Sequence, residues 1–129
     1  MIIRIKPDKQ RAESLKKMAE ITLERLKNID RQRYPSNTLL DYYDSLHKLM
    51  EALSLKEGIK TKGEGAHQEL IEYMAKKGII NEQTRQFLQQ MREYRNKISY
   101  EGFMINKNYI LLNESIIREI IKKLFDSLN

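Results

Sequence analysis

Leu39, Tyr43, Leu46, Met50 and Leu53 stand four, three, four and three residues apart, and this spacing limits the possible folds more than any other feature. A strand sends successive side chains to opposite faces, whereas a helix gathers positions three and four apart onto one stripe. Residues from Ser36 to Glu57 therefore read as one helix with a packing seam, closed by Gly58. Before it, Leu15, Met18, Ala19, Thr22, Leu26 and Ile29 predict a helix from about Asp8 to Arg31, with Pro7 near its start. A third, shorter helix is expected from about Glu64 to Lys77, stopping at Gly78. Asn81 can cap a fourth, from Glu82 to about Ser99, with Ile80 as a staple and Phe87, Leu88, Met91, Tyr94 and Ile98 as its stripe. In the last helix Asn113 is the expected cap, Leu112 the staple to Ile117, and Ile116 through Leu128 the apolar face.

"MIIRI" is at most a short strand, "GIKTKGEG" is the most flexible-looking segment, and "FMINKNYILL" fits either extended chain or a short helical piece. The pattern thus predicts an all-α fold, an antiparallel four- to five-helix up-and-down bundle, in a single domain over residues 1–129. The final helix carries seven large apolar side chains in thirteen residues, and Tyr42 and Tyr43 sit side by side on the second. That surplus suggests a face kept for a second copy, hence a homodimer.

Composition excludes several function classes. With no cysteine there is no disulfide, thiolate metal site or thiol nucleophile. Apolar runs of three or four residues are far short of the roughly 20 that span a bilayer, so no membrane role is expected. The N-terminal stretch is apolar over too short a length for a secretory signal, which predicts a cytoplasmic protein. Lysine and arginine total 24 against 18 acidic residues, a net charge of +6 that favours polyanions such as phosphate backbones. No phosphate-loop, dinucleotide-binding or nucleophile-elbow pattern is present, and no cofactor is expected. His47 and His67, twenty residues apart on different helices and without metal-ligand spacing, read as core-edge histidines, so no metal site is expected either. The joint "MAKKGIINEQTRQFLQQ" resembles a helix-turn-helix, but its turn is long and its second helix longer than a usual recognition helix.

One residue does not fit the packing pattern. Arg95 lies four residues after Met91 and three before Ile98, on the apolar side of the fourth helix. A guanidinium there must pair with a carboxylate such as Glu51 or Glu93, snorkel, or face a site that holds an anion. Asn96 beside it and Tyr100 about a turn later both offer hydrogen bonds, and Lys97 adds charge. Arg95, Asn96, Lys97 and Tyr100 are therefore the candidate phosphate- or RNA-binding residues.

An all-helical domain of this length, with "RN" near the end of its penultimate long helix and an apolar last helix, resembles the HEPN superfamily. The hallmark of that family is an arginine, a polar residue directly after it, and a histidine four to six residues on. Arg95 and Asn96 match the first two places, and Tyr100 stands where the histidine would be. The chain looks most like the small prokaryotic members that accompany minimal nucleotidyltransferases, often as toxin–antitoxin pairs. The resemblance implies a homodimer with two motifs in one cleft, RNA as ligand and a nucleotidyltransferase partner. For catalytic members it implies metal-independent ribonuclease action, with histidine assisting attack of a ribose 2′-OH and arginine stabilising charge on phosphorus. A phenol ordinarily titrates near pH 10, so a tyrosine in that place predicts binding rather than cleavage. The alternatives are an active endoribonuclease using Arg95 and Tyr100, and a purely structural bundle in which Arg95 is an internal ion-pair partner.

Overall fold

The computed structural model describes residues 1–129 and is 73% helical. A short strand β1 (Ile2–Arg4) is followed by α1 (Lys9–Lys27), α2 (Pro35–Lys56), β2 (Ile59–Thr61), α3 (Ala66–Lys76), α4 (Glu82–Glu101) and α5 (Lys107–Leu128). The helical bundle expected from periodicity is the observed architecture. Its organising element is α2, which packs against α1, α3, α4 and α5. All five seam residues of α2 are buried, Leu39, Leu46 and Met50 completely. Leu26, Leu70, Leu88, Ile117 and Leu124 close on them from the surrounding helices.

The helix ends follow local chemistry. Asp8 accepts a hydrogen bond from the Arg11 amide (3.0 Å), and Asn81 accepts one from the Thr84 amide (2.8 Å), each quenching a donor that the first turn leaves free. Pro35 opens α2, where its missing N–H is harmless. Gly102 ends α4 in the left-handed conformation (φ 68°), and its amide and that of Phe103 both return to the Lys97 carbonyl.

Three expectations need correction. The first helix ends at Lys27 rather than Arg31: Asn28 turns back to the Glu24 carbonyl, and the Arg31 carbonyl takes the Thr38 hydroxyl (2.7 Å). Ile29 and Met18, read as part of its buried stripe, are exposed. The glycine-rich segment is not simply loose, because its centre is β2, paired antiparallel with β1 through Ile2↔Thr61, Ile3↔Lys60 and Arg4↔Ile59. Gly58 is required there: its φ is +77°, and a Cβ would meet the Ile5 carbonyl oxygen at 2.6 Å. Finally, α5 begins at Lys107 under an Asn106 cap, and Leu112 is exposed rather than a staple. Asn113 is interior to the helix and donates back to the Tyr109 carbonyl (2.8 Å). The earlier start is favoured by Ile110, fully buried, and by Ile105, whose amide donates to the buried Ser36 hydroxyl (3.0 Å).

Candidate anion-binding groove

Arg95 sits in the penultimate turn of α4, half-buried, on the side that faces α2. Its Nη1 donates to Asn96 Oδ1 (3.1 Å) and to Tyr100 Oη (3.3 Å). The guanidinium carbon lies 5.6 Å from the Tyr100 ring centroid. Of the residues singled out with it from the sequence, Arg95 thus contacts Asn96 and Tyr100. Both acceptors are neutral, and the chain's eight ion pairs do not include Arg95. Neither Glu51 nor Glu93 answers its charge. Tyr100 itself is 75% exposed. Lys97 is exposed, its ammonium 5.9 Å from the Phe103 ring centroid. Of the four residues singled out from the sequence only Arg95 lines the groove itself, with Asn96 and Tyr100 touching Arg95 from outside it.

The groove is a small open pocket of about 290 Å³ between α2, α3 and α4. Tyr43, Asp44 and His47 line it from α2, His67 from α3, and Arg95 and Ser99 from α4. Register explains the α2 wall: residues 43, 44 and 47 lie within one turn and share a face. His67 enters because α3 starts directly after the β1–β2 sheet, with the Glu69 amide closing the first turn on the Gly65 carbonyl (2.9 Å).

The two histidines, read from the sequence as unrelated core-edge residues, meet here. Their rings stack with centroids 3.8 Å apart and planes 20° apart. Tyr43 lies alongside, its Oη 3.3 Å from His67 Nδ1. The stacking explains why the pair is not a metal site: imidazole lone pairs lie in the ring plane, and parallel rings do not aim both at one ion. No group of three or more His, Asp or Glu side chains converges as metal ligands would. What the sequence lacked was any signal for this meeting, since each histidine only borders its own helix stripe.

Both imidazoles are held neutral. Burial is the first cause for His47 and takes it down to about 3, with His67 as the next contributor; Lys48 and Arg95 push the same way and Asp44 opposes them. Glu51 Oε1, 3.7 Å from His47 Nδ1, is therefore a dipolar neighbour and not an ion-pair partner near neutral pH. His67 is lowered by burial first, then by the positive fields of Arg95 and Arg92. Burial pushes the Tyr43 phenol up to about 12, so it remains a hydroxyl that can donate.

The two acidic residues that line the groove, Asp41 and Asp44, are already engaged. Asp44 accepts from Lys48 (2.7 Å), and Asp41 pairs with Arg25 (2.8 Å). Arg92 donates to neutral Gln89 (2.7 Å) and, like Arg95, is outside every ion pair. The groove therefore holds a guanidinium outside every ion pair, two neutral imidazoles, the Tyr43 and Ser99 hydroxyls, and two carboxylates whose charges Arg25 and Lys48 already meet. The unmet charge is positive and suits an anion with several oxygens. Larger grooves between α1 and α5 and beside the sheet carry no histidine. No helix is long and apolar enough to cross a membrane.

No family model matches the chain, and neither a characterised protein nor a solved structure has significant similarity to it.

Proposed function

We propose that the protein binds RNA, or the phosphates of a nucleotide, in the groove around Arg95, Asn96 and Tyr100. It does so as a HEPN-like homodimer working beside a nucleotidyltransferase in a toxin–antitoxin-type system. The observation that carries this reading is the state of Arg95: half-buried, steadied by two neutral acceptors, with no carboxylate to neutralise it. A half-exposed guanidinium with no protein counter-ion keeps its donors open to water or to an external anion. The dimer is supported by exposed apolar side chains in the chain that follows Arg95, namely Tyr100, Met104, Leu111, Leu112 and Ile116. The test is fluorescence anisotropy with a short single-stranded oligoribonucleotide. Binding should weaken roughly tenfold or more in Arg95→Ala, the scale of a charged hydrogen bond, and should fall with added salt. Undiminished binding by a folded Arg95→Ala variant would refute the reading.

A second reading, metal-independent RNA cleavage, is favoured by one observation: His67 lines the same groove as Arg95. In the tautomer whose Nδ1–H donates to the Tyr43 oxygen, the neutral imidazole keeps Nε2 free to accept the ribose 2′-OH proton as that oxygen attacks phosphorus. Arg95 then stabilises the charge on the equatorial oxygens, and Tyr100 gives its proton to the departing 5′-oxygen. The products are a 2′,3′-cyclic phosphate and a 5′-hydroxyl, and solvent returns the protons to their starting places. Incubation with RNA in the presence of a chelator decides it: cyclic-phosphate ends that vanish in both Arg95→Ala and His67→Gln establish cleavage. Intact RNA leaves binding as the function.

A further inference from the structure

The stacked histidines add something that binding at Arg95 alone does not require. We propose that phosphate capture in this groove is proton-coupled: the ligand enters together with one proton, which His67 takes up and His47 does not. This rests on the reading of the groove as a phosphate site.

The geometry separates the two rings. His47 is deeper, its side chain 18% exposed, and is packed under the other ring. Both rings are half-buried and line the groove, but only His67 has a hydrogen bond, to Tyr43 through Nδ1. With the phenol donating to Nδ1, the neutral ring carries its hydrogen on Nε2 and can offer it to a phosphate oxygen. On protonation Nδ1 gains a hydrogen as well, and the Tyr43 oxygen turns from donor to acceptor without any chain movement. The phenol serves both states.

Electrostatics sets the direction. In the free groove the charges acting on His67 are Arg95 and Arg92 on α4, which repel a proton, and Asp44 on α2, which is already held by Lys48. Along α3, Glu69 is paired with the N-terminal amine of Met1. Around His47 the charged neighbours are Asp44, Lys48, Glu51 and Arg95, and together with burial they leave it neutral. A phosphate at Arg95 reverses the local sign and favours the imidazolium at His67. Once His67 is charged, a second proton on a ring stacked 3.8 Å away is opposed, so the uptake stops at one.

The linkage fixes the pH dependence. The free ring titrates below its ordinary value of 6.5, and the ligated ring above that lowered value. Between the two, affinity rises as pH falls, by at most about tenfold per pH unit for one proton. Below the free value both states are protonated and the dependence levels off.

The probe is a short 2′-O-methyl oligouridylate, which cannot be cleaved by 2′-OH attack. Its affinity should rise as pH falls from about 8 to about 6, the range in which an imidazole switches charge. Calorimetry in buffers of different ionisation enthalpy should count close to one proton taken up per site. His67→Gln should abolish the slope, so that affinity no longer rises between about pH 8 and about pH 6, whatever the variant's affinity at pH 8. His47→Phe, which keeps a ring in the stack, should retain the slope. Because the chain has two histidines, proton NMR of the unaltered protein can also follow each ring with and without the oligonucleotide. Binding with no proton uptake, uptake of two protons, or an unchanged slope in His67→Gln overturns the coupling and leaves phosphate binding standing. Absence of binding at every pH overturns both.

Discussion

Arg31 and Arg95 both lie half-buried in this bundle, and the protein treats them in opposite ways. Arg31 follows α1, where its Nε donates to Glu114 of α5 and its Nη1 to the Leu26 carbonyl (2.8 Å). The same Glu114 oxygen accepts the Tyr42 hydroxyl (2.8 Å), so a cation, an anion and a phenol close on one another across α1, α2 and α5. Hydrogen bonds and charge together draw the Arg31 pKa up, and Glu114 ends below the usual carboxylate range even though burial opposes that shift. Arg95 is likewise half-buried at a helix seam, yet its partners are an amide and a phenol. The difference separates a charge used for construction from a charge left available. It also moves the structural-bundle alternative from Arg95 to Arg31.

The sharpest way to break this comparison is to measure stability. Removing one partner of the Arg31–Glu114 pair strands the other among apolar neighbours. Both side chains are about one-fifth exposed, at 22% and 19%, so solvent softens the penalty. We expect Glu114→Ala to cost about 2–4 kcal/mol in denaturant unfolding, and Arg31→Met with Glu114→Leu to recover much of it. Arg95→Ala should cost less than about 1 kcal/mol, because no buried partner is stranded. Equal costs for Glu114→Ala and Arg95→Ala would erase the distinction.

A ligand assay should reverse that order. Arg95→Ala should lose roughly tenfold to thirtyfold in affinity for single-stranded RNA, whereas Arg31→Met with Glu114→Leu should bind within about twofold of the unaltered protein. If the two defects come out alike, RNA does not choose the unanswered guanidinium, and the groove loses its claim.

How much of this could be read in the sequence differs between the two sites. The α2 seam and the Asn81 cap are local signals, and both are observed, because helix stripes and caps depend on residues three and four apart. The grouping of Arg95, Asn96 and Tyr100 was legible for the same reason. Arg31 was not, since its partner is 83 residues away and periodicity had placed it inside a helix that ends four residues earlier. The histidine pair was hidden likewise: each ring is an ordinary stripe neighbour on its own helix, and the docking of α3 on α2 brings them together. The start of α5 was misread because Asn106 and Asn113 are equally good caps by residue type. Burial of Ile105 and Ile110 decided between them.

Acid should reveal the histidine side of the comparison. In the fold His47 titrates at about 3 against an ordinary 6.5, so the unfolded chain binds its proton first. Its contribution to stability is complete above about pH 6.5 and is lost progressively as pH falls toward about 3. Between pH 6.5 and 5.5 that amounts to about 1 kcal/mol from His47. His67 adds in the same direction, since its value is also lowered. Chemical unfolding across this range should therefore show a decline that His47→Phe flattens and Arg31→Met leaves in place. Stability unchanged from neutral to mildly acid pH would contradict the neutral, stacked pair.

The smallest expected effect concerns how Arg95 is steadied. Its Nη1 is shared between Asn96 at 3.1 Å and Tyr100 at 3.3 Å, and Tyr100 is largely in solvent. Tyr100→Phe removes one neutral acceptor but leaves the ring near the guanidinium. Stability should stay within about 0.5 kcal/mol, as for most surface changes. RNA affinity should fall only about twofold to threefold, because Asn96 still orients the side chain. Adding Asn96→Ala should cost more than the two single losses combined, since either acceptor alone suffices to hold Nη1 and the pair acts as one unit. Strictly additive losses would mean that Asn96 and Tyr100 meet the ligand themselves and do not position Arg95.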